Sequence, residues 1–149
     1  MAIDRSAGTE IIRTVHLDDV DSTVACLIFG VQYHIYTVLS IVVMAETIQA
    51  AGNYVKLGID GYGTTTGTSN QRIQIFQQDM NLNETFVWND KFSFNGHEPV
   101  DFDATLSTIA KQDAIADQGS AVVQKLLINT ENASDSFHVT CTFIDQNNA

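Results

Sequence analysis

From Phe86 to Val100 the chain reads Phe-Val-Trp-Asn-Asp-Lys-Phe-Ser-Phe-Asn-Gly-His-Glu-Pro-Val. Aromatic and apolar side chains recur at every second position, and that spacing belongs to a sheet with one buried face. The stretch reads as two short alternating strands around an Asn89-Asp90 turn, followed by an Asn95-Gly96 break. The same alternation runs through most of the chain. Tyr54 to Asp60 places Val55, Leu57 and Ile59 on one side and Tyr54, Lys56 and Asp60 on the other. Phe137 to Ile144 places Phe137, Val139, Cys141 and Phe143 on one face. Thr23 to Val31 is apolar on both faces, which predicts a central strand. Gln32 to Val38 alternates and continues without a turn signal into Leu39 to Ala45.

About eight strands with short connections and a single proline predict an all-β chain. The expected fold is an antiparallel β-sandwich, jelly-roll-like, with one short helical connection. That connection is placed in Asp103 to Ser120, where Leu106, Ile109 and Ala110 stand at helical spacing. A chain of 149 residues supplies one core. The organisation expected is an N-terminal arm over 1–15 with a short strand near Ile11-Ile12, a β-sandwich domain over 16–145 and a polar tail over 146–149. The shared core should contain Val55, Leu57, Ile59, Ile73, Ile75, Phe92, Phe94, Val139 and Phe143.

Charge removes several function classes. Lys and Arg number 7 against 18 acidic residues, a formal net charge of −11. Nucleic-acid backbones and anionic membranes need clustered Lys and Arg, so neither is an expected partner. The best apolar run, Val38 to Ala45, falls well short of the about 20 residues of a spanning helix. Met1 to Glu10 lacks the basic start and apolar centre of a signal peptide, and synthesis in a host cytoplasm is expected.

No reaction centre is legible. Of the 4 histidines, His16, His34, His97 and His138, no two stand two residues apart. His97 and Glu98 are adjacent and would point to opposite faces of a strand. No metal and no cofactor are therefore expected, because a metal site needs converging ligands. Asp18, Asp19 and Asp21, like Asp101 and Asp103, lack the calcium-loop pattern and read as solvated strand edges, with Asp101 and Asp103 kept as the weaker candidates for a site. The Gly61 to Asn70 loop lacks the Gly-Lys-Ser/Thr ending of a phosphate loop, and no Gly-x-Ser-x-Gly elbow exists. Cys26 and Cys141 read as small buried hydrophobes, able to pair only if their strands are neighbours. No catalytic residue and no enzyme activity are expected.

Tyr36-Thr37-Val38, the apolar strand ending near Met44, and Asn53-Tyr-Val-Lys-Leu-Gly-Ile59 resemble the core of small β-sandwich virion proteins of tailed bacteriophages. Phe86 to Val100 is similar to their strand-turn-strand segment, and Phe137 to Asp145 to their last strand. Two departures stand out: the turn that usually follows Tyr-Thr-Val is missing, and His97-Glu98 occupies the place of Gly-Asp. The resemblance implies a capsid decoration, or cement, protein without catalysis or cofactor. Such a protein binds the major capsid protein on the outer capsid surface, as a homo-oligomer, typically a trimer, across subunit junctions. Ile3, Ile11 and Ile12 of the arm are the expected contact residues, since apolar anchors dominate interfaces. The alternative is a neck or tail accessory, or a fibre-like receptor- or glycan-binding sandwich. In the glycan-binding case Tyr62, Trp88 and the 61–70 loop form the site, which an exposed Trp88 favours and a buried one sinks.

Overall fold

The computed structural model describes residues 9–63, 68–99, 108–110 and 121–147. They form β1 (Thr9–Val20), β2 (Ala25–Phe29), β3 (His34–Thr47), β4 (Tyr54–Gly63), β5 (Thr68–Asp79), β6 (Thr85–Trp88), β7 (Phe92–Asn95), β8 (His97–Pro99), β9 (Ala121–Val123), β10 (Lys125–Thr130) and β11 (Ser136–Asn147). One sheet runs β1-β11-β3, with β6 and β7 both on the far side of β3; the other runs β2-β10-β4-β5, and β8 pairs with β9. The ladders are antiparallel.

The two sheets pack face to face as the alternation requires. Val38, Ile41 and Val43 of β3 and Phe137, Val139 and Cys141 of β11 share one core with Val55 and Leu57 of β4 and with Leu126 and Ile128 of β10. All ten are fully buried. Removing a side chain of this size from water contributes about 1.5–3 kcal/mol each. Of the expected core, Val55, Leu57, Ile59, Phe94, Val139 and Phe143 are buried, and Ile75 and Phe92 pack against the cluster. Ile73 is a correction: it is 56% exposed. It lies opposite Ile59, yet on the edge strand β5, with no described strand beyond it.

Four further corrections concern the strands. Phe86 to Asn95 is not a hairpin. β6 pairs with Met44 to Ile41, and β7 continues in the same direction along Val38 to Ile35. Asn89, Asp90 and Lys91 cross the gap that Leu39 and Ser40 fill on β3, so the polar residues bulge one strand outward. β2 is an edge strand, not a central one. Of the expected 1–15 arm, Thr9 to Val15 belong to β1 and pair with β11, and residues 1–8 lie outside the described residues. Of the expected 146–149 tail, Gln146 and Asn147 belong to β11, and residues 148–149 lie outside the described residues. The helical connection expected over Asp103 to Ser120 lies outside the described residues apart from 108–110.

Two devices close the ends of the sandwich. At one end, buried Asp135 joins the β10–β11 turn to the β3–β4 turn. It accepts from the Asn132 amide at 3.0 Å, the Gln49 amide at 2.8 Å and Asn53 Nδ2 at 3.1 Å. At the other, three backbones meet. The Gly30 amide donates to the Gln124 carbonyl and the Gln124 amide to the Gly96 carbonyl, both at 2.8 Å. A Cβ on Gly96 would overlap the Val31 carbonyl oxygen, and one on Gly30 the Gly96 carbonyl, so only glycine allows this approach.

Cys26 in β2 is exposed, a correction to the expected burial, whereas Cys141 in β11 is buried; they lie in different sheets and are both free thiols. Burial pushes the Cys141 thiol up to about 12. Partial desolvation also raises Cys26, with Lys125 opposing it. A thiol-modifying reagent is expected to label Cys26 in the native protein and Cys141 only after unfolding. Two thiols reacting at one rate in native protein would contradict this packing.

Candidate functional site

The densest polar chemistry lies on the outer face of the first sheet, where β1 meets β11. Phe137 and Val139 point into the core, so His138 between them points out. On β1, His16 stands opposite Thr140. The ladder then shifts: Leu17 pairs with Val139 and Val20 with Phe137, leaving Asp18 and Asp19 together opposite His138. The extra residue is a β-bulge, and it resets the strand parity. Val20 shares its parity with exposed His16 and Asp18, yet it is buried in the core.

The bulge gathers four titratable side chains. His16 Nε2 lies 2.5 Å from Asp18 Oδ1, and His138 Nδ1 lies 3.6 Å from the same oxygen. His138 Nε2 donates to Glu46 Oε2 of β3 at 2.6 Å, and His16 Nδ1 lies 2.8 Å from Thr140 Oγ1. The two imidazoles stack with centroids 5.9 Å apart and planes 13° from parallel. Beside them Ser136 Oγ donates to Asp19 Oδ1 at 2.6 Å. The hydrogen bond to Glu46, aided by the charges of Glu46 and Asp18, holds the His138 imidazolium above the usual histidine range. Ligand atoms of His16, Asp18 and His138 all lie within 4.8 Å of one another. The expectation that no ligand set converges is thus corrected. Spacing along one strand is silent about residues that meet across two strands.

The other two histidines are not members of this cluster. His34 Nδ1 lies 2.6 Å from Asp145 Oδ1, and Arg13 Nη1 approaches the other oxygen at 3.4 Å. Asp145 is buried, and this pairing satisfies it. His97 is half-buried in β8, and burial lowers its pKa. Asp21 accepts from the Thr23 amide at 2.7 Å and shapes a turn. Asp101 and Asp103 lie outside the described residues.

The expected contact residues do not form one surface. Ile3 lies outside the described residues. Ile11 is half-buried opposite Asp145, while Ile12 is 68% exposed opposite Ile144, so the two leave β1 on opposite faces. Other exposed apolar residues stand on and beside edge strand β2. There Val24, Phe29 and Val31 are 47%, 61% and 49% exposed, and Lys125 Nζ sits 5.2 Å from the Phe29 ring centroid. Their signal was visible in the Thr23 to Val31 run, whose second apolar face implies cover without saying whose. Trp88 offers no exposed platform: it is half-buried, stacks on Phe76 at 5.4 Å and packs against the core. Residues 64–67 of the loop expected beside it lie outside the described residues.

No protein-family model matches this chain, and a search of curated proteins finds no match. Among solved structures, the chain is similar to one in the structure of infectious bursal disease virus Gx strain. The identity is 9% and the TM-score 0.38, over 97% of this chain and 39% of that one. The chain therefore spans well under half of that neighbour, and a likeness of this degree carries no functional argument.

Proposed function

We propose that this chain is a structural virion protein of a tailed bacteriophage. In this reading it decorates the outer capsid surface as a homo-oligomer and ties neighbouring copies of the major capsid protein across their junctions. The observation that carries the reading is the edge of β2. Among the described residues β2 pairs with β10 alone, and Val24, Phe29 and Val31 stand exposed on or next to it. A strand edge offers unpaired backbone N–H and C=O groups, and apolar side chains beside it supply anchors for a partner strand. Left uncovered, such an edge invites aggregation, so a partner in the working state resolves it.

The strand pattern around Tyr36-Thr37-Val38 and Asn53 to Ile59, which resembles phage virion sandwiches, supports the class of assembly. A net charge of −11 is unsuited to packing against DNA and supports an outward position. Repetition on a lattice lets individually weak contacts add. A trimer is the arrangement that the resemblance implies.

The test is decoration of bare capsids of the encoding phage, with occupancy read by cryo-electron microscopy. Wild-type protein is expected to fill defined sites and to raise the temperature at which packaged DNA escapes. Phe29→Asp is expected to fold normally and decorate poorly. Equal decoration by Phe29→Asp removes the β2 edge from the contact. Labelled protein found only at the tail replaces the capsid reading with the accessory one. Removing residues 1–8 spares β1 and tests the remaining arm separately.

A further inference from the structure

The cluster at the β1–β11 bulge brings three donor atoms within 4.8 Å of one another, with a protein group held against the second nitrogen of each imidazole. We infer that His16, Asp18 and His138 form a binding site for a first-row divalent cation of the zinc type, with Glu46 and Thr140 orienting the two imidazoles. This site is separate from the β2 edge and does not depend on the capsid reading.

Geometry carries the inference. Glu46 is a carboxylate and can only accept, so at 2.6 Å it fixes the proton of neutral His138 on Nε2. Once zinc displaces the proton that the imidazolium carries on Nδ1, the lone pair of that nitrogen faces Asp18 Oδ1 across 3.6 Å. Two acceptors then face each other across a gap. Ligands held about 2.0–2.1 Å from a tetrahedral zinc stand roughly 3.3–3.4 Å apart, so the gap is close to the separation a shared cation imposes. His16 Nε2 lies 2.5 Å from the same oxygen, and this contact opens by under an ångström to admit the ion. Thr140 Oγ1 accepts from His16 Nδ1–H once Nε2 is a ligand. Each ligating imidazole thus has its second nitrogen held by a protein group, the outer-sphere support that metal-binding histidines use.

The donor set selects the ion. Two imidazoles and one carboxylate suit zinc and its first-row neighbours, whereas magnesium and calcium want a cage of oxygens. Both histidines and Asp18 retain solvent exposure, so water completes the shell. The ion would tie edge strand β1 to β11 at the bulge, where the ladder is interrupted. Binding to the folded chain alone stabilises it by mass action.

Calorimetric titration of the full chain with zinc chloride at neutral pH tests the site. One zinc per chain is expected, with no heat from magnesium chloride at the same concentrations. Asp18→Asn and the double variant His16→Gln/His138→Gln should abolish binding. Glu46→Ala, which removes only a support, should weaken it roughly 10–100-fold. His97→Gln should bind as wild type does. Circular dichroism verifies each fold. If a variant does not fold, the cobalt(II) spectrum of the wild type decides: tetrahedral absorption supports the site and the weak hexaaqua spectrum overturns it. Folded wild-type protein that takes up no zinc overturns the inference, as does zinc binding that survives loss of both histidines. In either case the cluster is an ion-paired surface network alone.

Discussion

Phe137→Ala lowers the free energy of unfolding by about 3–5 kcal/mol, the range for truncating a fully enclosed phenylalanine. Phe137 is 0% exposed and lies between Val20 on β1 and Ala45 on β3. Ala45 is small and fully buried, so the ring fills space that its neighbour leaves open. The strands on both sides are held in ladders, which limits how far the cavity can collapse. A domain with total stability of about 5–15 kcal/mol loses a large share of it through this one change. Ile12→Ala, on the exposed face, should move the unfolding free energy by no more than about 0.5 kcal/mol. Urea denaturation of both variants checks the pair. A Phe137→Ala protein as stable as Ile12→Ala would mean that the two sheets do not enclose a common core.

Asp135→Ala should cost on the order of 3 kcal/mol, although it removes no apolar contact. The carboxylate serves the Gln49 amide, Asn53 Nδ2 and the Asn132 amide, and both Asp135 and Asn53 are buried. Alanine leaves the Asn53 amide without its acceptor inside the protein, and an orphaned buried donor costs about 1–3 kcal/mol. The two turns it joins carry the chain between sheets, since β3 and β11 belong to one layer and β4 and β10 to the other. Asp135→Asn keeps one acceptor oxygen and should fall between alanine and wild type. Equilibrium unfolding gives the ranking. Indistinguishable stability of Asp135→Ala and wild type would show that water replaces the carboxylate and that the turns hold by themselves.

The inward faces of β4 and β11 were legible from the residues alone. Val55, Leu57 and Ile59, and Phe137, Val139, Cys141 and Phe143, alternate with polar neighbours, and all are buried. The Thr23 to Val31 run is equally visible, yet its strand lies at a sheet edge and not at the centre. A second apolar face says that something must cover it, and a partner molecule satisfies that demand as well as a neighbouring strand does. Asn89 to Lys91 carries turn residues, and a bulge uses the same residues as a turn. Only the 14-residue length of β3, long enough to pair β6 and β7 in succession, decides between the two.

The histidine cluster was illegible for a related reason. His16 and His138 are remote in the chain, and although Asp18 stands two residues after His16 on β1, the histidine that completes the set lies on another strand. Their meeting depends on the register of β1 against β11 and on the extra residue at Asp18-Asp19. Alternation along a strand follows from each residue's own backbone geometry, so the sequence by itself determined which segments are strands and, where one face is polar, which side chains turn inward. Strand order, edge positions, bulges and cross-strand neighbours are properties of two segments at once. They are settled by which pairing buries the most apolar surface while satisfying the most backbone groups, and only the tertiary structure decided them.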